Sequence, residues 1–187
     1  PLGLGVAIYL SELASERMRK ILKPAIELLA GIPSVVYGFF GLVVLVPLIQ
    51  RLFNLPVGEP ALVGSVILAI MALSTIITVA EDAMRNTPRA MREASLALGA
   101  THWQTIYKLV VPYASSCISA VVVFGIGRAI GETMAVLMVT GNAAVMPRSL
   151  FEPIRTIPAT IAAELGEAPS GGAHYQALFM LGCILFI

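Results

Sequence analysis

The sequence predicts an all-α integral membrane protein, and two observations support that prediction. The 187 residues are 58% hydrophobic and 12% charged, whereas soluble domains average roughly one half and one quarter. Residues 28–49 and 61–80 hold no charge and residues 109–142 hold only Arg128 and Glu132, so each stretch reaches the roughly 20 residues of a spanning helix. Because backbone in lipid must satisfy its own hydrogen bonds, and the stretches lack the alternation of barrel strands, we expect helices.

Short apolar runs at both ends predict two further, partial spans. Residues 1–10 are uncharged, and residues 177–187 form an uncharged run about half as long as a spanning helix. We therefore expect a single domain over residues 1–187, a fragment that lacks its first span or spans and the end of its last. The predicted spans lie at about 1–10 (partial), 26–50, 61–84, 107–141 and 174–187 (partial).

The distribution of basic residues predicts which loops face the cytoplasm. Eight basic residues lie in the two predicted loops 11–24 and 81–108, namely Arg17, Arg19, Lys20, Lys23, Arg85, Arg89, Arg92 and Lys108. Since basic loops stay on the cytoplasmic side, both loops face inward. Residues 50–60 and the loop 142–173 then face outward, and a short helix is expected near 159–165.

Within the second inward loop, residues 88–98 predict a short helix. Thr87 is a suitable N-cap ahead of Pro88, whose missing N–H does no harm at the first helical position. Gly99 is a suitable residue past the C-terminus. Thr101 then predicts the start of a second helix, with Gln104 at the spacing of a capping box.

This segment resembles the EAA loop of ABC-importer permeases. In that loop Glu-Ala-Ala is followed by three residues and Gly, then by nine residues, an aliphatic residue, any residue, a second aliphatic residue and Pro. The matching residues are Glu93, Ala94, Ser95, Gly99, Leu109, Val111 and Pro112, with Ser95 in place of the second Ala. The resemblance implies that residues 88–98 are the coupling helix, which binds a groove of a separate ATPase subunit. The alternative is an amphipathic helix lying on the lipid surface, which its basic residues also suit.

Arg128 and Glu132 fall near the middle of the third predicted span. An ionised side chain there costs roughly 3 kcal/mol on insertion scales, so something must offset it. Four residues apart on a helix, the two charges can pair on one face. Gly125, Gly127 and Gly131 reduce the bulk around them. One interpretation is a buried salt bridge that only orders the bundle. The other is an anion path, in which the guanidinium donates hydrogen bonds to an oxyanion.

Two stretches on the predicted spans resemble the permease subunits of phosphate ABC importers. They are residues 31–38 (GIPSVVYG) and 128–136 (RAIGETMAV). The end of the second stretch, together with residues 176–179, resembles the PstC-type subunit more than its PstA-type partner. The resemblance covers essentially the whole chain. It implies a type I ABC-importer helical bundle, with Arg128 and Glu132 in the path of phosphate.

The first of these stretches contains Pro33, Ser34 and Tyr37, whose role is open between a helix kink and a pore lining. Pro33 removes a helix hydrogen bond, and Ser34 can compensate locally. A structural kink is therefore favoured over a substrate contact.

The family resemblance implies a permease subunit of an ATP-driven phosphate importer in the inner membrane of a prokaryotic cell. The implied partners are a second homologous permease, an ATP-binding cassette ATPase dimer, an external phosphate-binding protein, inorganic phosphate and the lipid bilayer. The sequence has no Gly-rich loop followed by Lys-Ser or Lys-Thr, so ATP hydrolysis is expected in a separate subunit. No enzyme active site, cofactor, metal site or nucleic-acid partner is predicted.

Two alternatives remain for the transported solute and its driving force. The same architecture suits another oxyanion such as sulfate or molybdate. An ion-coupled secondary transporter, with Glu132 as a proton relay, is the alternative from a different class.

Overall fold

A computed structural model of the protein describes residues 1–54 and 58–186. The regular structure of these residues is helical. In chain order the helices are α1 (Leu2–Ile8), α2 (Glu16–Gly31), α3 (Ser34–Phe40), α4 (Val46–Phe53), α5 (Ala61–Arg85), α6 (Arg89–Ala97), α7 (His102–Thr105), α8 (Val111–Gly131), α9 (Met134–Val139), α10 (Ile157–Glu164) and α11 (Ala173–Leu185). Short π-helical segments continue α1, α3 and α7, at Tyr9–Leu13, Gly41–Leu45 and Ile106–Val110.

Three helical stretches within the described residues are long and apolar enough to cross a membrane. They are Ser34–Phe53, Ala61–Arg85 and His102–Gly131. The prediction of an all-α protein is confirmed for the part of the chain that the structure describes. The limits of the spans within a bilayer stay predictions.

The chain divides into two compact units. Unit 1 comprises Pro1–Gly31 and Ile70–Ala129. Its core is formed by one face each of α1, α5 and α8, where apolar residues recur at the three- and four-residue spacing that places them on one side of a helix. The fully packed members are Ala7, Leu10, Ile77, Ala80, Met84, Val110, Ala114 and Val121.

Unit 2 comprises Ile32–Ala69 and Ile130–Ile187. Its helices approach closely at glycines. A Cβ added to Gly38 would lie 2.9 Å from the Cα of Ala135, and one added to Gly64 would lie 2.5 Å from Cγ2 of Thr140. A larger side chain at Gly38 would push the helices apart, since real Cβ atoms do not come this close to backbone, and one at Gly64 would have to displace the buried Thr140 side chain.

The segment between α9 and α11 was predicted as an external loop with a short helix near 159–165. The structure places α10 there, at Ile157–Glu164. The earlier part of the segment lies on the first turn of α5, because the N–H groups of Ala61 and Leu62 donate to the carbonyls of Glu152 (3.1 Å) and Leu150 (2.9 Å).

The predicted loop 11–24 is wrong for most of its length, because α2 begins at Glu16 and runs to Gly31. The four basic residues between two apolar runs suggested a connecting loop. In the structure Arg19 pairs with Glu16 at 3.1 Å, three residues away, which supports the first turns of the helix.

The second predicted span, 26–50, is not one helix from residue 26, since α2 ends at Gly31 and α3 begins at Ser34.

Candidate functional site

Arg128 lies in the last turn of α8 and is half-buried. Among the described residues of unit 1, none forms a hydrogen bond or a salt bridge with the guanidinium of Arg128. One turn away, a Cβ on Gly125 would meet the Ile76 side chain at 2.8 Å, so that glycine serves helix packing. A Cβ on Gly127 would meet nothing within 4 Å, which leaves open space beside the arginine.

Glu132 lies outside the helix that carries Arg128, because α8 ends at Gly131. The predicted arrangement, with both charges four residues apart on one helical face, is therefore wrong. Instead, Oε1 of Glu132 accepts the N–H of Ala135 at 3.2 Å, so the carboxylate satisfies a backbone donor in the first turn of α9. The sequence showed the three glycines but not that one of them ends the helix.

A second helix break occurs at Ile32 and Pro33. Pro33 is extended (φ −59°, ψ 143°) and precedes the first residue of α3. The kink predicted at Pro33 is thus a full interruption between α2 and α3. Ser34 begins α3 and is half-buried, whereas Tyr37, one turn further, is 7% exposed and belongs to the packed part of the unit.

The helices that begin at these two breaks pack against each other within unit 2. Gly38 faces Ala135, and Gly41, three residues later, faces Val139. The later residue on one segment faces the later residue on the other, so α3 and α9 run in the same direction. Ser34, in the first turn of α3, and Glu132, two residues before α9 begins, therefore lie at the same end of the helix pair. Interrupted helices of this kind line substrate paths in transporters, where freed backbone groups are satisfied by water or solute.

At the other candidate site, α6 occupies most of the predicted coupling helix 88–98. The predicted C-terminus is confirmed: Gly99 has φ +87°, and the N–H of Ala100 donates to the carbonyl of Ser95 at 3.2 Å. The predicted Thr87 cap is wrong. Pro88 occupies the cap position, and the buried Oγ1 of Thr87 has no hydrogen-bond partner among the described residues.

The helix after Gly99 begins as predicted. Thr101 and Gln104 form a reciprocal capping box, with bonds of 2.9 and 3.2 Å between each side chain and the other's backbone N–H. The hydroxyl of Ser95 lies 3.0 Å from that of Thr105. The motif position at which Ser replaces Ala therefore joins α6 to α7.

The surface around α6 is suited to a protein partner. A groove of about 420 Å³ runs beside the helix and is largely apolar. Its lining residues are Met91, Ala94, Ser95, Leu98, Ala100, Lys108 and Leu109. Leu98 is 89% exposed, and Glu93 is exposed as well. An exposed apolar side chain beside charged ones, on a short rigid helix, is typical of a helix that another protein grips.

Residues 1–187 match the family described as the binding-protein-dependent transport system inner membrane component. The chain belongs to this family. The predictions of a type I ABC-importer permease fold and of a multi-pass membrane transport component, as opposed to an enzyme, are thereby confirmed.

Relatives of this permease carry consistent names. It is 44% identical over 187 residues to the probable ABC transporter permease protein YqgH of Bacillus subtilis, covering 100% of this chain and 60% of that protein. It is 40% identical over 206 residues to the phosphate transport system permease proteins PstC of Pasteurella multocida and Mesorhizobium japonicum, covering 100% of this chain and 64% and 63% of theirs. The chain thus spans less than two thirds of the length of these relatives.

Two charged clusters of the permease were missed from the sequence, and both lie in unit 1. In the first, Arg92 of α6 pairs with Glu12, which follows α1, at 2.5 Å. In the second, Lys23 of α2 reaches Glu81 at 2.5 Å and Asp82 at 2.6 Å, both in the last turns of α5. The available signal was acidic residues at the edge of each apolar run, Glu12 in the first cluster and Glu81 with Asp82 in the second, since a carboxylate there needs a cation.

The second cluster perturbs Lys23. Burial lowers the pKa of the ammonium group, but hydrogen bonds to Asp82 and Glu81 and the charges of both carboxylates outweigh that effect. The pKa of Lys23 is therefore raised above its ordinary value of 10.5. The ammonium stays charged at neutral pH and neutralises Glu81, which is 1% exposed.

Proposed function

We propose that the protein is a transmembrane permease subunit of an ATP-driven phosphate importer in a prokaryotic inner membrane. The observation that carries this proposal is the similarity along the whole chain to relatives named as phosphate transport permeases, about 40% identical. The matched region covers the whole of this chain and so includes residues 128–136, in which a helix is interrupted beside an arginine.

In the proposed anion path, Arg128 supplies the attraction and Glu132 limits it. A guanidinium presents a planar fork of donors that suits a tetrahedral oxyanion, and it stays charged in a low-dielectric site. The half-buried side chain with open space at Gly127 supports this role. A carboxylate close by in sequence would keep the anion from being held too tightly to leave.

The groove side of α6, which includes Ala94 and Ser95, is proposed to bind an ATP-binding cassette ATPase dimer, together with the exposed Glu93 and the turn at Gly99. The nine-residue helix is about 14 Å long at 1.5 Å per residue, and its ends are fixed by Pro88 and Gly99. A second homologous permease and an external phosphate-binding protein would complete the assembly. Closure of the ATPase dimer would displace α6 and open the anion path toward the binding protein.

Of the set Pro33, Ser34 and Tyr37, the first and the last are given a structural role in this proposal. The break at Pro33 lets α3 start at the level where α9 starts, and the buried Tyr37 helps to hold the pair together. Ser34, half-buried in the first turn of α3, is the member of this set best placed to line the path.

Reconstitution of the full-length permease tests the proposal. The permease, its homologous partner, the ATPase and the binding protein are placed in proteoliposomes, and uptake of radiolabelled phosphate, sulfate and molybdate is measured with and without ATP. We expect uptake of phosphate alone, dependent on ATP and on the ATPase. Uptake of sulfate or molybdate in its place would reassign the solute. Uptake driven by a pH gradient without nucleotide would identify a secondary transporter.

A further inference from the structure

The ion pair between Arg92 and Glu12 joins α6 to a part of the chain about eighty positions earlier. We propose that this pair is a positioning link through which movement of α6 reaches α1. The inference rests on the proposed function, in which α6 is the helix that the ATPase moves. It concerns the next step, the route from α6 into the membrane helices.

One guanidinium connects three elements of unit 1. Nη1 of Arg92 donates to both carboxylate oxygens of Glu12, at 2.5 and 2.7 Å. Nη2 donates to the main-chain carbonyl of Met84, at 2.8 Å, in the last turn of α5. Glu12 belongs to the π-helical segment that continues α1. Arg92 thus ties α6 to the ends of both α1 and α5.

The pair is placed where it resists separation. The side chain of Glu12 is 5% exposed and that of Arg92 is 23% exposed. The hydroxyl of Ser11 also donates to Glu12, at 2.8 Å. Because a carboxylate this deeply buried needs a charged donor, pulling Arg92 away costs more than it would at the surface. A displacement of α6 therefore draws Glu12 with it.

The segment that carries Glu12 is itself held in place. Arg19 of α2 donates from Nε to the carbonyl of Leu10 at 2.9 Å and from Nη2 to that of Ser11 at 2.8 Å. These carbonyls lie near the C-terminal end of the π-helical segment, which stops at Leu13, so they have no donor within the helix. The segment therefore moves as one piece with Glu12.

Among the described residues, the side chains of α6 make two sets of polar contacts with other elements, and only one of them reaches α1. Ser95 reaches Thr105 in α7, the next helix in the chain. Arg92 alone reaches α1 and α5. Arg89 and Glu93, on the same helix, are exposed and make no side-chain hydrogen bond to a described residue.

Site-specific labels in the assembled complex test the link. In a background in which the cysteines of the full-length permease and its partners, Cys117 and Cys183 among them, are changed to Ser, an environment-sensitive fluorophore is attached either at Ala97→Cys on α6 or at Val6→Cys on α1. Both positions are exposed. The fluorescence change on trapping the ATPase with ATP and vanadate is recorded for the parent, for Arg92→Met and for the matched control Arg89→Met.

We expect both labels to respond in the parent and in Arg89→Met. In Arg92→Met the label on α6 should respond as before, whereas the response of the label on α1 should fall by about fivefold or more. Since a merely structural loss would affect both labels, the difference between them is specific to the link. Co-purification of the ATPase with the variant verifies assembly.

Several outcomes would overturn the link. One is an α1 response in Arg92→Met equal to that of the parent, and another is a parent in which α1 does not respond while α6 does. If Arg92→Met fails to assemble, Glu12→Leu removes the same pair from the other side, and an undiminished α1 response there overturns it as well. If the label on α6 does not respond in the parent, the proposed role of α6 itself is contradicted. This result distinguishes a failure of the proposed function from a failure of the link.

Discussion

Gly38 of α3 lies so close to Ala135 of α9 that a Cβ on Gly38 would stand 2.9 Å from the Ala135 Cα. This contact aligns two short helices that both begin at interruptions of longer ones. It therefore sets the position of Ser34 and of Glu132, which lie at the same end of the pair. The proposed anion path depends on this alignment, since Glu132 is held by the first turn of α9.

Replacing Gly38 by Ala should destabilise the permease. The added methyl group meets main-chain atoms of α9 that cannot rotate away, and overpacking of this kind costs about 1–3 kcal/mol. Thermal melts of the purified protein measure the effect. Gly5→Ala in α1 is the matched control, because a Cβ there meets nothing within 4 Å. A Gly38→Ala melting temperature at or above that of the parent would contradict the close approach.

Replacing Gly99 by Val should uncouple ATP hydrolysis from transport. The residue has φ +87°, with open space around it, so the penalty arises from the backbone and amounts to about 1–2 kcal/mol. The end of α6 would then rearrange. Phosphate taken up per ATP hydrolysed is the measured quantity. Gly99→Asn, which tolerates the left-handed region better, should retain most of the coupling. Normal coupling in Gly99→Val would exclude the proposed role of this turn.

Replacing Ser95 by Ala should loosen α6 from α7 even though Ala is the residue expected from the EAA motif. The hydroxyl pair with Thr105 is lost, and a hydrogen bond of this type contributes about 1 kcal/mol, or about 2–4 °C in melting temperature. Ser115→Ala serves as the control, because that exposed hydroxyl bonds only to its own helix, at the carbonyl of Pro112. Equal melting temperatures for the two variants would show that the pair does not stabilise the protein.

The contribution of Lys23 to stability should disappear at high pH. Its pKa is raised in the folded state, so its stabilising effect is complete below the ordinary value of 10.5 and is lost as the pH rises through the folded value above it. At neutral pH, Lys23→Met should cost about 3 kcal/mol, because the buried Glu81 then keeps only Arg85, at 3.9 Å, as a cation.

Melts of the parent and of Lys23→Met across this pH range measure that contribution as a difference. The difference in melting temperature between the parent and Lys23→Met should be constant up to pH 10.5 and should shrink above it. Lys20→Met, an exposed position on the same helix, should show almost no difference at any pH. A difference in melting temperature between the parent and Lys23→Met that persists unchanged at all higher pH values would contradict a stabilising role for the charge of Lys23.

Local signals in the sequence were sufficient for several elements. The apolar lengths predicted α5, and Gly99, Thr101 and Gln104 predicted the end of α6 and the start of α7, because caps and positive φ depend on one or two residue types. The family was identifiable from the spacing of Glu93, Gly99 and the residues that follow.

Features set by tertiary contacts could not be predicted in this way. The first half of helix α2 was taken for a loop because its charges interrupt the apolar runs, whereas ion pairs such as Arg19 with Glu16 and Lys23 with Glu81 support a helix there. The end of α8 at Gly131 separated Glu132 from the helical face of Arg128. The link between Arg92 and Glu12 joins residues eighty positions apart, and no periodicity reports such a pairing.

Uptake by Arg128→Ala tests the central claim most directly. The variant is assembled with its homologous permease, the ATPase and the binding protein, and ATP-dependent phosphate uptake into proteoliposomes is compared with that of the parent and of Arg51→Ala, an exposed arginine at the end of α4. We expect background uptake by Arg128→Ala, with co-purification of the ATPase retained, and normal uptake by Arg51→Ala. Uptake by Arg128→Ala equal to that of the parent would contradict a role for this arginine in the anion path.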